Sequence, residues 1–251
     1  MLSVIRLFLG AIFIICTTLF ALVYCLLSPR DPKHVHFFCR GFDQLHKLVG
    51  VELIKRGKEN VTQIGNSVYI SNHQNIFDFV TSPGMLEPRT VSIGKKSLLW
   101  IPFFGQLYWI TGNILLDREN KSKARSTIQQ VAEAIHSRNL SVWMYPEGTR
   151  SKGRGLLPFK TGAFRMAIEA GVPVVPMCVS STHNKISLNR RDNGIVITEM
   201  LEPIDVSQYE MKDARKLADH CHQIMEKKIA ELDAEVARLE LAREQVEVKP
   251  S

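Results

Sequence analysis

The sequence predicts an α/β fold: a mixed, mostly parallel sheet flanked by helices, preceded by an N-terminal membrane-associated helical segment. Three observations carry this. From residue 66 to residue 200, short β-rich runs alternate with stretches of helical periodicity. Residues 7–29 carry no charged side chain. Three polar clusters fall at the ends of predicted strands, where open α/β sheets bind ligands. The expected layout is N-terminal membrane-anchoring helices over 1–60, an α/β domain over 61–211, and a charged C-terminal helix and tail over 212–251.

A length of 251 residues with 45% hydrophobic side chains suits one ordinary domain plus an appendage. The net charge of +7 points to an anionic partner. Lysines and arginines are dispersed, with no zinc-finger spacing and no RNA-recognition signature, so nucleic acid is not expected. The apolar N-terminus turns the choice toward lipid. The five cysteines, Cys16, Cys25, Cys39, Cys178 and Cys221, form no C-x-x-C pair and read as reduced thiols.

Taken in order, residues 7–29 are long enough to cross a hydrocarbon core as a helix. The run exceeds a signal-peptide core, and no small-residue cleavage site follows it. Arg6 precedes it, whereas Arg30, Lys33, Arg40 and Lys47 follow, which places the body of the protein in the cytoplasm. A helix dipping into one leaflet is the alternative. Residues 34–56 read as an amphipathic helix with Phe38, Phe42, Leu45, Leu48 and Val49 on one face.

Strands are expected at Ser67–Ser71, Thr90–Ile93, Asn113–Leu116, Ser141–Tyr145, Val172–Val179 and Ile195–Met200. Pro173 and Pro176 argue against a fully central place for the fifth. Helices are expected after the first strand and at Ala124–His136 and Phe159–Ala170. The apolar stretch Leu98–Ile110 is too short and too broken to span a bilayer, and suits either core or interface. From about Lys212, a seam of Cys221, Met225, Ile229, Leu232, Val236 and Leu239 marks a helix packed on the domain, with the last few residues disordered.

The chemistry centres on Asn72-His73-Gln74-Asn75-Ile76-Phe77-Asp78. On a helix, residues five apart point roughly 140° away from each other, so His73 and Asp78 meet only across a turn. Asn75 suits a helix N-cap, which puts Asp78 at the third helical position. A carboxylate holding one imidazole nitrogen leaves the other as a base. In isolation, Asp78 reads as a helix-start residue and His73 as a plain loop histidine. The clusters Asp117-Arg118 and Glu147–Ser151 alter that balance. They can bring Arg118, Glu147 and Arg150 to the same crevice, with Gly148 and Gly153 permitting close approach and Lys95, Lys96 and Lys160 adding charge. Ser71 lacks the glycine-flanked elbow of a nucleophilic serine. The pattern therefore reads as a base that deprotonates a hydroxyl for direct attack on an activated acyl group.

Four blocks in this order resemble the bacterial 1-acyl-glycerol-3-phosphate acyltransferases, the lysophosphatidate acyltransferases of phospholipid synthesis. They are Asn72–Asp78, Gly112–Arg118, Tyr145–Ser151 and Val172–Pro176. Tyr145 stands where phenylalanine is common in the family. The resemblance implies that 61–211 is a catalytic domain, with His73 the general base and Asp78 its orienting partner. It assigns the acceptor site to Arg118, Glu147, Gly148, Thr149 and Arg150, with the arginines on the phosphate. Pro173 and Pro176 are linked to the acyl donor or to the shape of the site. Fatty acyl transfer from acyl-CoA or acyl carrier protein to the 2-hydroxyl of 1-acyl-glycerol 3-phosphate is implied, giving phosphatidate at the cytoplasmic face of the bacterial inner membrane. No metal or bound cofactor is implied. Two alternatives stand beside it: another glycerol-phosphate or lysophospholipid acceptor, and a non-catalytic anionic-lipid binder.

Overall fold

The computed structural model describes residues 1–116 and 124–247. Helix α1, Leu2–Tyr24, is long and apolar enough to cross a membrane. Two shorter helices follow, α2 at Lys33–Asp43 and α3 at Leu45–Leu48. The helix expected over 34–56 does not continue beyond them. Gly50 takes φ 74°, and the chain enters strand β1, Glu52–Arg56. Asn193 fixes this turn: its backbone N–H donates to the Gly50 carbonyl at 2.7 Å, and its Nδ2 donates to Val49 O at 2.6 Å. A Cβ at position 50 would stand 2.0 Å from the Arg191 carbonyl oxygen, so glycine alone permits the contact. β1 falls within the segment expected to hold only N-terminal helices, yet it pairs with strand β7, described below. It is a charged edge strand, and its residues carry no alternation that would mark it.

The remaining elements alternate as expected. They are β2 (Val68–Ser71), α4 (Asp78–Thr81), β3 (Thr90–Lys95), α5 (Phe104–Ile110), β4 (Ile114–Leu116) and α6 (Ala124–Ser137). Next come β5 (Ser141–Met144), α7 (Gly162–Ala170), β6 (Val174–Val179), β7 (Ile195–Met200) and α8 (Ala214–Glu247). The sheet order is β1-β7-β6-β2-β5-β3-β4. Neighbours are parallel except β6 and β7.

β6 is central, against the expectation from its prolines. It pairs with β2 on one side and β7 on the other. Pro176 is tolerated because the regular β7 ladder begins one residue later, at Met177–Met200. There Leu201 N–H donates to the Pro176 carbonyl at 2.8 Å, so the missing proline donor costs only the return bond at the ladder's margin.

Central strands are buried on both faces, as parallel sheets require. Val68, Ile70, Val142, Val174 and Cys178 join the main core with Phe164, Ile135, Leu217 and Met225. The intervening Tyr69, Trp143, Val175 and Met177 form a second cluster with Met85 and Leu86. The seam on α8 packs as expected: Cys221, Met225, Leu232 and Val236 are buried, and Ile229 and Leu239 lie against them. A bidentate pair, Arg56 to Glu235 at 2.9 and 2.7 Å, ties α8 to β1. The expectation for the last residues falls outside the described chain.

Candidate active site

Strands β2 and β5 are adjacent and parallel, so their C-terminal loops emerge side by side. The loops are stitched together. Ser151 N–H donates to His73 O at 2.7 Å, and Lys152 N–H to Gln74 O at 3.0 Å. Asn72 and Gln74 pin the first loop to the end of β6. Asn72 exchanges two bonds of 2.9 Å with the Val179 backbone, and Gln74 Nε2 donates to Ser180 O at 2.9 Å.

On this frame His73 Nδ1 lies 2.6 Å from Asp78 Oδ2. The same oxygen accepts the backbone N–H groups of Gln74 at 2.8 Å and Asn75 at 3.2 Å. A carboxylate only accepts, so Nδ1 carries the proton and Nε2 is the basic nitrogen. Asp78 is 3% exposed, which keeps water from competing for the contact. The capping expectation is met in its bonds and not in helix length. Asn75 Oδ1 accepts from Phe77 N–H at 2.8 Å and Asp78 returns to Asn75 N–H, but regular α-helix begins only at Asp78.

His73 also stacks on Tyr145, with ring centroids 3.9 Å apart and planes 12° from parallel. Burial drives the Tyr145 phenol well above its usual pKa, and the Asp78 charge adds to this, so the ring is a neutral stacking surface.

A cavity of 280 Å³ opens from this pair. His73, Asp78, Gly148 and Arg150 line one part, while Phe38, Phe42, Leu98, Phe104 and Leu107 supply apolar wall. Lys95 is also at the wall. Gly148 has φ 71°, and a Cβ there would come within 2.7 Å of Lys160 Nζ, so the lysine sits against the glycine turn. The expected site residues therefore divide. His73, Asp78, Gly148 and Arg150 are brought together; Thr149 is exposed and is not among the lining residues. Arg118 lies outside the described residues. Neither Pro173 nor Pro176 lines the cavity.

Glu147 is buried behind the cavity, not in its wall. Its Oε1 accepts His73 N–H at 2.6 Å, and its Oε2 accepts Leu157 N–H at 3.0 Å. Burial raises its carboxyl pKa, and the two N–H bonds partly offset that rise. Both oxygens are committed to the backbone of the loops.

The chain that carries the His–Asp pair is similar to known proteins. An acyltransferase family model covers residues 52–180. The 1-acyl-sn-glycerol-3-phosphate acyltransferase of Escherichia coli K12 is 57% identical over 242 residues, spanning 96% of this chain and 99% of that protein. The Haemophilus influenzae protein of the same name is 54% identical over 238 residues, spanning 95% and 99%. The chain belongs to the 1-acyl-sn-glycerol-3-phosphate acyltransferase family. A crystal structure of the 1-acyl-sn-glycerophosphate acyltransferase of Thermotoga maritima shares the fold, with a TM-score of 0.73 at 22% identity, covering 93% of this chain and 95% of that one.

As an acyltransferase this chain requires an acyl donor and a lipid acceptor, and the cavity beside His73 is largely apolar. Sequence reasoning missed three parts of the site: the Tyr145 stack, the Asn72 and Gln74 clamps, and the polar group Ser92, Tyr108 and Asn113 in the wall. In that group Ser92 Oγ and Tyr108 Oη are 2.5 Å apart, and Ser92 N–H donates to Asn113 Oδ1 at 2.7 Å. The clamps were within reach, because Asn72 and Gln74 alternate with His73 directly after a strand. The other two join residues distant in the chain and have no local signal.

Proposed function

We propose that the chain transfers a fatty acyl group from acyl-CoA or acyl carrier protein to the sn-2 hydroxyl of 1-acyl-glycerol 3-phosphate, forming phosphatidate. The observation that carries the reading is the 2.6 Å His73–Asp78 contact at the polar part of an apolar cavity. His73 Nε2 takes the hydroxyl proton as the oxygen attacks the thioester carbonyl. The tetrahedral intermediate collapses with cleavage of the C–S bond. The thiolate leaves with the proton held on His73, which returns the imidazole to its starting form. Asp78 keeps Nδ1 protonated and faces the imidazolium charge as it develops. Arg150, with Arg118, binds the acceptor phosphate, for which a guanidinium fork is well shaped. Gly148 lets the backbone approach the ligand. Glu147 acts through the loops it joins.

The membrane is the second partner, and we place the body at the cytoplasmic face of the bacterial inner membrane. Helix α1 is fastened to the body at both ends, which favours a helix lying in one leaflet over one that crosses. Arg6, 7% exposed, donates to the carbonyls of Leu188 and Arg191, both at 3.1 Å. Further along, Thr18 Oγ1 shares its proton between Ile14 O of its own helix at 2.8 Å and Phe103 O at 3.1 Å, and Ala21 and Cys25 are buried against Phe38 and Leu107.

The test is thiol release from acyl-CoA and from acyl carrier protein with several acceptors. Release that requires 1-acyl-glycerol 3-phosphate supports the reading. Release with glycerol 3-phosphate alone would replace the acceptor, and vesicle binding without release from either donor would leave a lipid-binding protein.

A further inference from the structure

We propose that the segment Lys96–Ile110, which walls the cavity, is a second membrane-inserting element, with Trp100 and Ile101 entering the lipid beside α1. The proposal rests on the membrane reading above and extends it to a part of the chain distant in sequence from α1. The segment has two faces. Leu98, Phe104, Leu107 and Tyr108 line the cavity. Trp100, Ile101, Phe103 and Trp109 point outward, and Trp100 is 80% exposed. Large apolar side chains so closely spaced on an outer surface mark a contact site. Lipid is the occupant the surroundings favour, because the patch continues the apolar surface of α1.

The join with α1 and the chain just after it is built in three ways. Leu107 packs with Ala21, Cys25 and Phe38 in one cluster. Arg30 N–H donates to Ile110 O at 2.9 Å, and the Arg30 guanidinium lies 5.3 Å from the Trp109 ring centroid. The Thr18 hydroxyl on α1, bonded to Ile14 O of its own helix at 2.8 Å, also lies 3.1 Å from the carbonyl oxygen of Phe103. Phe103 itself is held at φ 62°, ψ −51°, with Phe104 N–H donating to Pro102 O at 2.7 Å, a γ-turn of the strained hand. That turn presents the Phe103 carbonyl to α1 and leaves the Phe103 ring outside. An unfavourable conformation in a bulky residue persists where the surroundings hold it in place. Tryptophan with arginine or lysine beside it is the composition of the water–lipid interface; Lys96 is exposed at the start of the segment and Arg30 at its end.

The chain has three tryptophans, which makes the test direct. In the full chain carrying Trp109→Phe and Trp143→Phe, Trp100 is the sole indole. Its emission is recorded with phosphatidylglycerol–phosphatidylcholine vesicles, brominated in the acyl chains or not, and binding is measured in parallel by sedimentation. The expected result is co-sedimentation, a blue shift and loss of most Trp100 emission on bromination. Protein that sediments while its Trp100 emission is unchanged by bromination overturns the proposal and leaves the membrane reading standing. Protein that fails to sediment overturns both. Should Trp143→Phe disturb folding, Trp100→Phe alone is compared with the wild type; an undiminished quenched fraction then overturns the proposal.

Discussion

The buried carboxylate of Glu147 holds the backbone N–H of His73 at 2.6 Å, and its second oxygen holds Leu157 N–H at 3.0 Å. His73 is thus positioned by an acid that does not touch its ring. Glu147→Ala leaves two N–H groups without an acceptor and should destabilise the fold by about 1–3 kcal/mol for each. Turnover should fall more in kcat than in either KM, because the base is displaced while the cavity remains. Glu147→Gln retains one acceptor and should be milder in both respects. Steady-state kinetics with urea unfolding check this; a selective rise in acceptor KM would instead make Glu147 a substrate ligand.

The same carboxyl has a pH signature. Burial raises its pKa above the usual 4.5, so the folded chain keeps a proton that the unfolded chain has released. The contribution favours folding below pH 4.5 and is lost as pH rises through the raised folded value. Across that window, wild-type stability should decline relative to Glu147→Gln. Urea midpoints at a series of pH values measure it, and a difference that grows in favour of the wild type with rising pH would contradict the burial argument.

His73→Ala should abolish turnover while leaving vesicle binding and the folded circular-dichroism spectrum intact. Asp78→Asn removes the charge that holds Nδ1–H and faces the imidazolium. It should cost about 10²- to 10⁴-fold in kcat. Near-normal activity in His73→Ala would sink the base assignment.

Arg150→Ala should raise KM for lysophosphatidate about 10- to 100-fold, the loss of one charge-assisted contact, with little change in KM for the donor. Equal effects on both substrates would count against a phosphate role.

Cys39 lines the cavity, yet burial, with the nearby Asp43 charge, pushes its thiol up to about 12. It should resist iodoacetamide at pH 8, because the thiolate is the nucleophile. Mass spectrometry of the labelled protein would show the reverse if the cavity were open to water at this position.

Much of the fold was legible because its signals are local. Uncharged length marks α1, alternation of short apolar runs with helical periods marks the α/β sheet, and the spacing of Cys221, Met225, Leu232 and Val236 marks the buried face of α8. The His73-x4-Asp78 pair was legible for the same reason: five residues and one turn contain the whole contact. Other features depended on partners far along the chain. β1 looked helical because nothing near it reveals that Asn193 captures the turn at Gly50 and that β7 waits to pair with it. Pro176 argued against a central strand, and only the register with β7 shows that its absent N–H falls at the ladder's margin. Glu147 was read as an acceptor ligand beside Arg150; the tertiary structure turns its carboxylate to the backbone of His73 and Leu157. By itself the sequence determined the composition of each element and the one reactive pair that a single turn can close. Which face each element buries, which strand ends adjoin and which acid serves the backbone were decided by long-range hydrogen bonds and packing, whose partners no local window contains.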